Sequence, residues 1–339
     1  MKSYGVLLIG CGHIGMQHLM DIYCREDIRV EAVVDANPTA ARSAAERCGV
    51  PAWGTDYREF LDSDRVDIVI IATYTNSHLP ILLDCLAHHK HVLCEKPIGS
   101  TVEMGRAFVQ AVKAAREKVL VAHILRHNAS YQKMRELIQS GAIGEIRLVR
   151  MTQNHHTTWD WPRHRRLLED CSPAVDCGVH YFDVVQWFTG SRITEVTCFG
   201  AKTQADASRD NFNLTTFRLE NGCSGFYEVG WGESIRTCNV KEFIGTKGRI
   251  SLQMQISREW DGEEGDCITV YHSDTGVYET VNVPAVYKNM YGQLRTLIDM
   301  IEHDTDGNPT IDDVWSAFRV AQAAEESLQT GKTVQVCLD

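Results

Sequence analysis

Along residues 1–123, short unbroken apolar runs alternate with stretches whose apolar positions recur at helical spacing. The runs are Val6–Ile9, Val30–Val34, Val66–Ala72, His91–Cys94 and Val119–His123, and the helical stretches are 13–24, 38–48, 77–89 and 101–117. Runs such as Val66-Asp67-Ile68-Val69-Ile70-Ile71 lack the polar–apolar alternation of a half-exposed strand, so they suit strands buried on both faces. Alternating β and α units of this kind predict an α/β domain, a parallel doubly wound sheet covered by helices on both sides.

After about residue 145 the pattern changes. The runs Ile193–Thr203, Phe212–Leu219, Gly225–Gly232 and Cys267–Tyr271 are β-rich and rarely separated by helical spacing. Glu220-Asn221-Gly222-Cys223 and Asp274-Thr275-Gly276 are hairpin signals between such runs. These features predict an α+β domain with a large, mostly antiparallel sheet. Helical spacing returns at 289–303 and 311–330, before a short strand near Thr333–Val336. No repeat, low-complexity tract or Gly/Ser/Pro linker interrupts the chain. The division predicted is 1–123 and 124–339, two closely apposed domains with a cleft.

Composition narrows the possibilities. With 34 Lys+Arg against 45 Asp+Glu the chain is acidic, which argues against nucleic acid as a partner. The 12 cysteines are scattered with no C-x-x-C pair, and Cys24, Cys85 and Cys94 lie within apolar or helical patterns. Reduced thiols in a cytoplasmic protein are therefore expected. No leader pattern precedes the first strand, and no apolar run approaches the ~20 residues that span a bilayer.

The first run leads into Gly10-Cys11-Gly12-His13-Ile14-Gly15, and Asp35 follows Gly15 by twenty residues at the end of the second run. Strand, glycine turn, helix, strand and terminal acid occur in the order and spacing of a dinucleotide-binding βαβ unit. The glycines bring backbone close to a pyrophosphate, the helix start offers N–H groups to it, and Asp35 accepts from the adenosine ribose hydroxyls. A carboxylate there disfavours a 2′-phosphate, so NAD is expected over NADP. Arg42, a turn or two into the next helix, is expected to be solvated.

Two further segments carry candidate chemistry. Glu95-Lys96-Pro97 directly follows the strand His91–Cys94, and ligands of parallel sheets bind at strand C-termini, so Lys96 points toward the nicotinamide end. Asp176-Cys177-Gly178-Val179-His180 opens an amphipathic helix with Ser172 as N-cap and Pro173 as first residue. Spacing of four puts Asp176 and His180 on one helix face, and Gly178 leaves room for close approach of ligand or backbone. Val179, Phe182, Val185 and Phe188 supply the apolar side. Alone, a strand-end lysine reads as a solvated charge, and the acid–imidazole pair is as readily incidental as functional.

Together, Gly10–Gly15, Asp35, Thr73-Tyr74-Thr75-Asn76-Ser77-His78, Glu95-Lys96-Pro97 and Asp176–His180 resemble the Gfo/Idh/MocA oxidoreductases, a family that includes inositol, glucose and other sugar dehydrogenases. The resemblance extends through Tyr131–Ile146 to Glu325–Lys332. It implies an N-terminal Rossmann domain and a C-terminal α+β domain whose open sheet assembles a homodimer or homotetramer. It implies that Gly10, Gly12, His13, Ile14, Gly15, Asp35, Thr73, Asn76, His78, Glu95 and Lys96 line the cofactor. It also implies that Lys96, Asp176 and His180 form the catalytic set. One departure is Glu169-Asp170-Cys171-Ser172-Pro173-Ala174, where the family usually has a glycine-rich approach to the helix.

The chemistry implied is NAD-dependent oxidation of a secondary alcohol of a sugar, inositol or other polyol. His180 is the natural base, Asp176 orients it or binds a neighbouring hydroxyl, and Lys96 stabilises the developing alkoxide, although a neutral Lys96 is an alternative base. A glycoside-cleaving or epimerising enzyme that uses NAD transiently, and a non-catalytic dinucleotide sensor, are the rival readings. His155–Arg166 precedes the catalytic helix and is expected to contribute to the substrate pocket. There Trp159 and Trp161 either offer flat faces to sugar C–H groups or fill a core or subunit interface, and His164 bonds a hydroxyl. Arg163, Arg165 and Arg166 either favour an anionic substrate or pair with Glu169 and Asp170. His155, His156, His164, Cys171 and His180 cluster in sequence without structural-zinc spacing, so no metal is expected.

Overall fold

The computed structural model describes residues 2–157, 161–254, 265–284 and 288–338. Two compact units emerge, one of residues 1–124 and 288–315, the other of 125–287 and 316–339. The single division expected at residue 123 therefore misses a return of the chain to the first unit. The physical reason is the helix Met290–His303, whose Leu294, Leu297 and Ile298 recur at helical spacing. They bury in the same core as Val6, Leu8, Ile68 and Ile70.

The first unit is built on strands β1 Tyr4–Ile9, β2 Ile28–Val34, β3 Trp53–Gly54, β4 Ile68–Ile71, β5 His91–Cys94 and β6 Val119–Val121. They pair in parallel in the order β3-β2-β1-β4-β5-β6. Every residue of β4 is buried, as its unbroken run predicts for a strand covered on both faces. Helices α1 His13–Ile22, α2 Pro38–Cys48, α3 Arg58–Leu61, α4 His78–Ala87 and α5 Val102–Ala114 connect the strands. Two starts are capped as sequence chemistry dictates: Asn37 accepts from the Thr39 N–H, and Thr101 from the Met104 N–H. Because β1 lies between β2 and β4, strand order reverses there, and the turn after β1 opens at the switch point where such sheets bind ligands.

The second unit contains helices α6 Ala129–Gln139, α7 Trp161–Asp170, α8 Pro173–Asp176 and α9 Gly178–Thr189, and the later part of Ile311–Thr330. Its strands are β7 Ile146–His156, β8 Ile193–Ala201, β9 Phe212–Leu219, β10 Ser224–Gly232, β11 Cys238–Gly245, β12 Gly248–Gln253, β13 Asp266–His272, β14 Tyr278–Val283 and β15 Val334–Gln335. Their order is β14-β13-β12-β11-β7-β10-β9-β8-β15, and only β7 and β10 run parallel among the described pairs. The expected hairpin signals fall at the β9–β10 and β13–β14 connections, where Gly222 and Gly276 take left-handed φ angles of 82° and 69°. No helix of the described residues is long and apolar enough to cross a membrane.

The core of the second unit lies between the helices and one face of this sheet. Val179, Phe182, Val185 and Phe188 of α9 all bury in it, against Tyr227, Val229 and Phe243. The Phe182 ring stands edge-on to Phe217 and Tyr227, with centroids 6.3 and 5.7 Å away. Gly178 owes its lack of a side chain to this packing: a Cβ there would lie 2.8 Å from the Phe182 ring, so the space serves the helix's own core residue rather than a ligand. Truncating Phe182 to Ala is expected to lower the unfolding free energy by about 3–5 kcal/mol. Denaturant titration checks this, and a loss below about 1 kcal/mol would contradict the packing account.

Candidate active site

The glycine turn is shaped by close backbone approach. Gly10 has φ of 96°, and a Cβ on Gly15 would lie 1.8 Å from the Gly10 carbonyl oxygen, so α1 is drawn tightly against the turn. Gly12 differs, because a Cβ there would meet nothing within 4 Å. Its bare face is open, and as N-cap of α1 it makes no side-chain cap, so no side chain of its own competes for the first-turn N–H groups. Asp35 fastens the end of β2 to this turn: Oδ2 accepts the Cys11 N–H and Oδ1 the Asn37 N–H, each at 2.8 Å. Burial and the Asp35 charge push the Cys11 thiol up to about 12, so it stays protonated and inert. Arg42 donates to Glu46 at 2.7 Å on an exposed helix face. An open cradle at a helix start beside a strand-end carboxylate fits a dinucleotide.

Two buried histidines brace the segment that carries Lys96. His18 of α1 is fully buried, and its Nε2 donates to Glu95 Oε1 at 2.8 Å. Burial opposes ionisation of Glu95, but the His18 bond and the charges of His18, Lys96 and Lys288 hold its pKa below the ordinary value. His78 is likewise fully buried, with Nδ1 2.9 Å from the Pro97 carbonyl oxygen and Nε2 3.1 Å from that of Thr73. Burial lowers its pKa, so the ring is neutral and only one of the two contacts carries the proton. The expectation that His78 lines the cofactor is thus corrected, since its ring has no exposed surface and ties the 73–77 turn to the 95–97 segment. Thr73 Oγ1 accepts from Ser77, and exposed Asn76 accepts from Ser100 at 2.6 Å. Gly12 and His13 are exposed, Ile14, Thr73, Glu95 and Lys96 are half-buried, and the Lys96–Pro97 peptide is cis.

In the second unit, Asp176 ends α8 and His180 lies in the first turn of α9; both are half-buried. Cys177 joins the two helices with right-handed helical backbone, and the His180 N–H donates to its carbonyl at 3.1 Å. Asp176 and His180 therefore lie on either side of a junction rather than within one unbroken helix. Ser172 precedes Pro173 as expected, but its hydroxyl makes no cap bond. His155 of β7 lies near this junction, its ring centroid 6.4 Å from His164. Burial, with His164, Lys241 and Arg163 outweighing Asp176, drives its pKa down to about 4, so it is neutral at pH 7.

The segment after β7 departs from expectation. Trp161–Arg166 is helical, the start of α7, and Trp161 packs with Leu168, Ala207 and Trp231 while its indole N–H donates to Asp206. Trp161 is thus a core residue and not a flat face for sugar. His164 is also buried, edge-on to Trp231 at 5.0 Å. Arg165 pairs with Asp206 rather than Glu169 or Asp170. Trp159 lies outside the described residues. Sequence reading missed Arg126, fully inside and doubly bonded to Asp183 at 2.8 and 2.6 Å, because the two are 57 residues apart.

Comparison with known proteins gives the same picture from another direction. A family model described as the oxidoreductase family with NAD-binding Rossmann fold, GFO/IDH/MocA, matches residues 4–123, and its C-terminal-domain counterpart matches 131–251. Inositol 2-dehydrogenase 2 of Saccharopolyspora erythraea is 29% identical over 269 residues, 76% of each chain. Inositol 2-dehydrogenase of Arthrobacter sp. (strain FB24) is 26% identical, across 100% of this chain and 97% of its own. Among solved structures, scyllo-inositol dehydrogenase of Lactobacillus casei with bound NAD(H) and scyllo-inositol has a TM-score of 0.81 at 22% identity, with 99% of each chain covered. Myo-inositol 2-dehydrogenase of Lactobacillus plantarum has a TM-score of 0.85 at 18% identity, covering 99% of this chain and 100% of its own. These structural likenesses establish the fold.

The His18–Glu95 contact has a signed pH dependence. A carboxyl held below its ordinary pKa contributes stability fully above the unfolded value, about 4.3, and loses it as pH falls through the folded one. The stability margin of the wild type over Glu95→Gln is therefore expected to be constant above about pH 5 and to shrink in acid. A margin that does not change down to pH 3 would contradict an ionised, histidine-bonded Glu95.

Proposed function

The chain belongs to the GFO/IDH/MocA oxidoreductase family, and from that premise we propose that it oxidises a secondary alcohol of an inositol or related polyol with NAD. The observation that carries the cofactor half is the open Gly12 cradle with Asp35 bonded to the turn beside it. The substrate class is supported by relatives named inositol 2-dehydrogenase that align with most or all of the chain.

In this reading the glycine turn and the start of α1 hold the pyrophosphate, and Asp35 takes the adenosine ribose hydroxyls. Bound NAD supplies the hydride acceptor. Lys96 donates to the reacting oxygen and stabilises alkoxide charge as the O–H proton leaves. His180 takes that proton, since imidazole is the side chain whose ordinary titration lies nearest neutrality. Asp176 orients the imidazole or holds an adjacent hydroxyl. His18 and His78 act one step back, by fixing the Glu95–Pro97 segment. The outward face of the large sheet carries exposed Phe199, Val240 and Tyr278, which supports assembly of a homodimer or homotetramer through it.

Three outcomes check the reading. Incubation with NAD and a panel of inositols is expected to accumulate NADH, read by absorbance; retained cofactor without net NADH would favour transient redox instead. Lys96→Ala and His180→Ala are each expected to lower kcat by about two to four orders of magnitude with NAD affinity little changed. Near-normal turnover in either would remove that residue from the chemistry. Finally, NAD is expected to bind about tenfold or more tightly than NADP, because a carboxylate at the end of the second strand would repel a 2′-phosphate and Arg42 is engaged by Glu46. Equal or tighter NADP binding in a fluorescence titration would reverse the assignment.

A further inference from the structure

Lys241 of β11 is fully buried on the helix-facing side of the second unit's sheet, the side that also carries Phe243. Its Nζ lies 4.5 Å from the centre of the Tyr181 ring on α9. The amine donates to the Thr152 carbonyl oxygen at 3.0 Å and to the side-chain oxygen of Asn239, with no ion pair among its contacts in the described residues. Burial pushes its pKa down to about 7, with Cys238 and Cys177 opposing the shift. An apolar side chain of similar length would fill this space at lower electrostatic cost, so packing alone does not account for a lysine here.

The neighbouring polar groups account for it. Asn239 lies two residues before Lys241 and so shares its face, and the Cα partner of Asn239 on β7 is Gln153. His155, two residues beyond Gln153, lies on that face too. Asn239, Gln153 and His155 are half-buried, whereas the groups beneath them are not exposed at all. Fully buried Tyr227 donates its hydroxyl to Gln153 Oε1 at 2.9 Å. The protonated amine has no acceptor, so the Asn239 atom it meets is the oxygen, and this contact sets the amide orientation. The NH2 group of Asn239 is left pointing away, held among the described residues by a weak contact to the Met254 sulfur at 3.4 Å.

We propose that Lys241 and Tyr227 are positioning residues for a hydroxyl-binding subsite: they take the oxygens of Asn239 and Gln153, leaving both amide NH2 groups beside His155 to bind hydroxyl oxygens of a polyol ring. The proposal rests on the polyol reading above. Neither buried group touches the ligand itself.

Two variants test it in the NAD-loaded enzyme with scyllo- and myo-inositol as probes. Lys241→Met frees the Asn239 amide. Asn239→Asp keeps an oxygen for Lys241 and replaces the NH2, so it holds the fold if the first variant does not. Each is expected to raise the inositol KM about tenfold, with kcat within about threefold and the NAD KM unchanged. A role confined to folding would instead lower the active fraction, and hence apparent kcat, at unchanged KM. Wild-type KM in Asn239→Asp would overturn the subsite. Calorimetry separates the two claims. Inositol binding without NAD reduction contradicts the functional reading, while the affinity ratio of wild type to Asn239→Asp still decides the subsite. No binding by the wild type contradicts both.

Discussion

The contact between the Asp35 carboxylate and the Cys11 N–H is the constraint around which the first unit's binding end is organised. It joins the end of one strand to the turn leaving its neighbour, at the point where strand order reverses. That turn in turn depends on Gly15, whose Cα approaches the Gly10 carbonyl too closely for any side chain. α1 is thereby pinned to the sheet, and His18 on its inward side reaches Glu95 beside Lys96. One glycine approach thus positions both the cradle for a phosphate and the brace for a lysine.

The second unit uses a different economy of buried polar groups. Its helix-facing core is largely aromatic and aliphatic, yet Lys241, Arg126 and Asp183 lie within it. Arg126 and Asp183 satisfy each other in a two-bond pair, which suits full burial. Lys241 has only neutral oxygens and an aromatic face, so burial lowers its pKa with no carboxylate to oppose it. Buried polar groups of this kind fix the direction of the side chains above them, which apolar residues cannot do.

The parallel sheet, its glycine turn and the role of α9's apolar side were legible in the chain because each rests on local signals. Unbroken apolar runs, glycines at fixed offsets and a four-residue spacing are all short-range. What stayed hidden depends on contacts between distant residues. The return of Met290–His303 to the first unit cannot be read from its own amphipathic pattern, which would suit any core. Trp161 and His78 carry side chains suited to ligands, and only their burial shows that they serve packing and bracing instead. Nothing in the local pattern singles out Lys241; its surroundings come from Thr152 and Tyr181, which the fold brings to it.

Direct transfer of hydrogen from polyol carbon to the cofactor is the central claim. The measurement that reaches it most directly is mass spectrometry of the NADH formed from an inositol deuterated at its ring carbons. The account predicts NADH heavier by one deuterium when the labelled inositol is oxidised in ordinary water. NADH without deuterium under those conditions would contradict it.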